Sequence, residues 1–142
     1  MSSKFTDIMD QITAGVTALP SIKTVYTYLS DLGDGKPYPR VEVLNGDEKL
    51  LMQDTANQVW DSQFMVILNA YASAEELEAI VFELRKYVVN VYLSQINDVT
   101  NRWNILISKG IEVSRSNFPV TEKILWSQVR FTVHSKYLDT GL

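Results

Sequence analysis

Val59-Trp60-Asp61-Ser62-Gln63-Phe64-Met65-Val66-Ile67-Leu68-Asn69-Ala70-Tyr71, followed almost at once by Ser73-Ala74-Glu75-Glu76-Leu77, decides how this chain folds. The even positions Trp60, Phe64, Val66, Leu68 and Ala70 make an apolar face at period two, interrupted only by Ser62, which predicts a long strand with one buried side. Ser73 and Glu76 have the spacing of a capping box, in which a serine oxygen and a glutamate three residues on satisfy the free N–H groups of a helix start. Behind them Leu77, Ile80, Val81, Leu84, Val88, Val91 and Tyr92 fall on one helical stripe. A strand and a helix with single apolar faces can bury them against each other. That pair is the spine of an α+β domain.

Working toward the N-terminus, Phe5, Ile8, Met9, Ile12, Val16 and Leu19 predict an amphipathic helix stopped by Pro20, with Ser2 or Ser3 as its cap and Asp7 near its positive end. A short strand over Lys23 to Leu29 and a turn-rich loop from Ser30 to Pro37 follow. Tyr38 to Leu44 reads as a strand with Val41 and Val43 on one face and Arg40 and Glu42 on the other. Pro39 marks it as an edge or a strand start, and Asn45-Gly46 as followed by a tight turn. Asp47 to Gln58 is polar apart from Leu50-Leu51-Met52 and reads as an extended hairpin arm, or as an ordinary surface hairpin.

Toward the C-terminus, Asn97 to Asn104 is a polar connection. Ile105 to Arg115 reads as a strand broken at Gly110, Ser116 to Lys123 as a loop containing Pro119, and Ile124 to Tyr137 as the last strand. In that strand Leu125, Val129, Phe131, Val133 and Tyr137 face one way, and Gln128, Arg130, Thr132, His134 and Lys136 the other. The order is α-β-β-β-α-β-β: a mainly antiparallel sheet, both helices on one face, and a β-hairpin arm.

The 142 residues predict one domain, spanning 1–142, with 46% apolar and 21% charged residues as in ordinary globular proteins. Cysteine is absent, which excludes disulfides and thiolate metal sites. No apolar run approaches the ~18 residues of a membrane span, and the first residues lack a signal-peptide core, so neither membrane association nor export by that route is expected. A net charge of −4, with 13 scattered basic residues, argues against a surface built to grip nucleic acid.

Chemistry is hard to find. His134, the single histidine, sits on the polar side of its strand and reads as solvated or as an interface residue. Glu75, Glu76, Glu78 and Glu83 crowd the early part of the long helix, where Glu76 serves the cap and Glu75 and Glu78 suit the helix dipole. Asp31-Leu32-Gly33-Asp34-Gly35 lacks the ligand spacing of a calcium loop and reads as a turn. No catalytic, cofactor or metal residue is expected. Among the tryptophans, Trp60 fits the core face, and Trp103 has no assigned place. Trp126 falls on a polar face, where an aromatic side chain anchors a protein contact or lies under a loop.

The order of these elements resembles the tail terminator (tail-completion, minor tail) proteins of long-tailed bacteriophages over nearly the whole chain. The segments that carry it are the N-terminal helix, the proline-led Tyr38-Pro39-Arg40-Val41-Glu42-Val43 and a polar hairpin. With them go the Trp-containing strand from Val59, the acidic-capped helix from Ser73, and Leu125-Trp126-Ser127-Gln128-Val129-Arg130-Phe131-Thr132-Val133. The resemblance implies a non-enzymatic virion protein, assembled in the host cytoplasm and sited at the head-proximal end of the tail. It would form a homohexameric ring that docks on the finished tail tube, stops polymerisation and presents a surface to the head-completion or neck protein. DNA would pass only as cargo through a mildly acidic lumen. On this reading Asp47, Glu48, Lys49, Leu50, Leu51, Met52, Gln53 and Asp54 of the arm, with Phe118 and Trp126, form ring or tube contacts. The rival readings are a neck protein of similar fold, a small ligand-binding α+β domain with a concave pocket, and a single-partner adaptor.

Overall fold

The computed structural model describes residues 4–27, 37–54, 57–97 and 106–140. Along the chain lie α1 (Lys4–Thr17), β1 (Thr24–Thr27), β2 (Arg40–Gln53), β3 (Asn57–Ala72), α2 (Ala74–Asn97), β4 (Leu106–Pro119) and β5 (Leu125–Thr140). The strands form one sheet in the order β1-β2-β3-β5-β4. Every neighbouring pair is antiparallel except β1 with β2. The α+β class and element order read from the sequence hold.

Alternation builds the core. Val41 and Val43 of β2, Phe64, Val66, Leu68, Ala70 and Ala72 of β3, and Val129, Phe131 and Val133 of β5 are all buried on one face. Onto that face pack Ile8, Met9 and Val16 of α1 and Leu77, Val81, Leu84 and Val88 of α2, in a single cluster with Ile12, Leu19, Trp60, Ile80 and Tyr87 at its margin. Each such aliphatic side chain contributes on the order of 1.5–3 kcal/mol by leaving water. The Ser73 Oγ accepts from the Glu76 N–H at 3.2 Å and the Ser73 carbonyl from the Leu77 N–H at 2.9 Å, so α2 starts at its predicted cap.

The two helices meet through a glycine. A Cβ on Gly15 would lie 1.6 Å from the Tyr87 Oη, so α1 carries no side chain where the Tyr87 ring crosses it. The Tyr87 hydroxyl donates to the Gln11 carbonyl at 3.2 Å. Ser21, just beyond α1, donates to Glu83 of α2. The Pro39 carbonyl accepts from the Lys23 and Thr24 N–H groups at 3.0 and 3.3 Å, which ties β1 to the start of β2.

Three sequence expectations need correction. Asn45-Gly46 is not a hairpin turn: β2 runs through it to Gln53, with a register shift between Asn45 and Glu48. The spare residue is absorbed as a β-bulge, and Gly46 admits the Gln63 side chain, whose Oε1 would be 2.6 Å from any Cβ there. The connection between β2 and β3 comes at residues 54–56 instead. Second, Ser116 to Pro119 is not loop but the end of β4, paired residue by residue with Leu125 to Gln128. Third, His134 is buried, at 7% exposure, rather than solvated. The break at Gly110 is present as a register shift between Ile107 and Ile111. The caps Ser2 and Ser3, the turn Asp31 to Gly35, and Trp103 lie outside the described residues.

Candidate interaction surfaces

The sheet's second face carries Arg40, Glu42, Ile67, Asn69, Tyr71, Trp126, Gln128, Arg130 and Thr132, as alternation requires. Both helices pack on the opposite face. The middle of the second face is nonetheless close-fitting, since Ile67 and Asn69 are buried and Gln128 donates to the Asn69 Oδ1 at 3.1 Å.

At one end of this face an aromatic row crosses the strands. Tyr71 pairs with Trp126, and Trp126 pairs with Phe118, so the three share one face. Tyr38, two residues before β2, joins them. Its ring meets Tyr71 edge-on at 5.0 Å and Trp126 edge-on at 5.6 Å, and the Tyr71 and Trp126 rings lie 4.6 Å apart at 38°. The Arg40 guanidinium sits 3.9 Å over the Tyr38 ring. Tyr71 is 50% and Phe118 58% exposed, while Tyr38 and Trp126 are half-buried. Rigid aromatic rings with a flanking arginine have the composition of interface hot spots.

The arm lies at the opposite end of the same strands. Beyond Val43, β2 is the sheet edge among the described residues. Asp47, Glu48, Lys49, Leu50, Leu51, Met52, Gln53 and Asp54 are all exposed, Met52 at 70%. A second bulge, between Leu50 and Met52, leaves Leu51 without an opposite residue. The arm is more than a hairpin, because Asn57 to Asp61 pair on their other side with Lys136 to Thr140 of β5. Three strands make it a stiff extension of the sheet.

At the base of the arm Asp47, Glu48, Lys49, Asp61, Gln63 and His134 line an open groove of about 150 Å³. His134 Nε2 lies 3.5 Å from a Glu112 carboxylate oxygen. This groove is well below the ~300 Å³ at which ordinary small-molecule pockets begin. Among the described residues there is no cluster of three or more potential metal-ligating side chains, and no helix is long and apolar enough to cross a membrane.

The residues singled out from sequence therefore divide between two sites. Phe118 and Trp126 belong to the aromatic row, and Asp47 to Asp54 to the arm. Tyr38, Tyr71 and Arg40 were not singled out. Tyr71 carries one available signal: it is an aromatic on the odd, polar side of a strand whose apolar side is even. Comparison with known protein families and with curated proteins finds no match to this chain.

Proposed function

We propose that this chain is a structural ring protein that caps the completed tail tube of a long-tailed bacteriophage. The ring, a homohexamer, seats one surface on the last tube ring and turns the other toward the head-completion or neck protein. DNA crosses its lumen without being held. The observation that carries this reading is the presence of two unlike exposed apolar surfaces, the arm and the aromatic row, at opposite ends of one rigid sheet. Heterologous assembly requires two different patches on each subunit, and it closes into a ring when the rotation between neighbours allows. The order of elements supports the same reading, and so does the net charge of −4, which disfavours adhesion to a polyanion moving through a channel.

The test is tube growth. Added to tube protein polymerising in vitro, the protein is expected to bind at one tube end, to shorten the final tubes at far below one copy per tube subunit, and to appear as an end-bound ring by electron microscopy. Tubes of unchanged length with bare ends would overturn the proposal.

A further inference from the structure

We infer that the aromatic row of one copy is the receptor for the arm of the next, so that Leu50, Leu51 and Met52 of one subunit seat on Tyr71, Trp126 and Phe118 of its neighbour. The inference rests on the ring reading and specifies its contact. The contact cannot form within one chain. Val59, beside the arm, and Tyr71, in the row, lie twelve residues apart on one extended strand, about 40 Å at ~3.3 Å per residue. A second copy of this chain is the occupant with complementary chemistry. The arm offers three adjacent apolar side chains on a strand edge with no partner strand among the described residues, and the bulge at Leu51 turns them to more than one side. The row offers a preformed platform with Tyr71 and Phe118 open to solvent. A flexible thioether such as that of Met52 fits irregular aromatic surfaces well. Charge agrees at the row itself: the arm carries Asp47, Glu48 and Asp54 against Lys49, whereas Arg40 sits over Tyr38 at the row; farther along that face Arg130 lies in register with Glu42 and is near Glu112.

The test is mixing of two defective variants, read by light scattering after size exclusion, with far-UV circular dichroism to establish folding. Met52→Asp with Leu51→Asp breaks the arm at exposed positions. Phe118→Asp breaks the row, and Tyr71→Ser is a second row variant should the first disturb β4. Each variant alone is expected to be monomeric at concentrations where the wild type assembles, a weakening of roughly 30-fold or more. An equimolar mixture of arm and row variants is expected to give a dimer that grows no further, because one intact arm meets one intact row. Folded variants whose mixture stays monomeric, beside a wild type that forms rings, overturn the contact and leave the ring reading standing. A dimer in the mixture beside a wild type that forms open chains upholds the contact and overturns the ring. A wild type that is monomeric at every concentration overturns the contact, and the ring reading is then decided on the tube.

Discussion

At the residue scale, two serines on the helix-covered face, Ser62 and Ser127, are buried with hydroxyls that have no hydrogen-bond partner among the described residues, at a cost in stability. Ser127, on β5, is 0% exposed. An unpaired buried hydroxyl forfeits its hydration without return, so Ser127→Ala is expected to raise unfolding free energy by about 1 kcal/mol in urea titration. Ser73→Ala has the opposite sign. It removes the acceptor for the Glu76 N–H and is expected to cost ~1 kcal/mol. Ser73 was legible because its role is written in local spacing. The environment of Ser127 was not, since burial depends on which strands flank it. The same distinction separates Trp126, placed correctly on the polar face by alternation, from its partners Tyr38 and Tyr71. Alternation assigns a face but does not say which residues will be neighbours across strands. The burial of His134 escapes the sequence for the related reason that alternation assigns a face and not a depth.

At the scale of elements, the α1–α2 contact is decided by Gly15 and Tyr87. Alanine at position 15 would gain roughly 0.5–1 kcal/mol as a helix former. Its Cβ would also displace the Tyr87 phenol and its bond to the Gln11 carbonyl. Overpacking of this kind costs roughly 1–3 kcal/mol, so Gly15→Ala is expected to destabilise the wild type and to stabilise a Tyr87→Ala background. A double-mutant cycle that shows the same sign in both would contradict this packing. Burial also raises the Tyr87 pKa above 10.0, because the phenolate is poorly solvated there. The folded state thus binds that proton more tightly than the unfolded state. The associated stability is fully present below about pH 10 and is lost as pH rises through the folded pKa. Tyr87→Phe is expected to flatten that alkaline decline. Elements with unbroken periodicity, such as β3, β5 and α2, were legible to within a few residues. β2 was not, because Asn45-Gly46 suits both a tight turn and a bulge. The choice falls to the bulge because β3, beyond its helix-covered part, offers partners for a longer β2. The end of β4 was hidden in the same way, by Pro119 and polar residues that are tolerated on an edge strand.

At the scale of the molecule, the sheet is longer than the layer of helices that covers it. Strands of 14 and 16 residues extend past the core into the three-stranded arm, while the aromatic row closes the other end. The sequence announced the arm by its polarity and its three exposed aliphatics, but gave no distance between arm and row. Only the register through β3 puts them at opposite ends, and that separation is what makes head-to-tail association geometrically natural. The most direct measurement is the solution mass of the wild-type protein by light scattering after size exclusion, at two concentrations and two salt levels. The ring proposal predicts a discrete closed hexamer whose mass does not increase with concentration. A two-fold dimer as the end state, or a mass that climbs without limit, would contradict it.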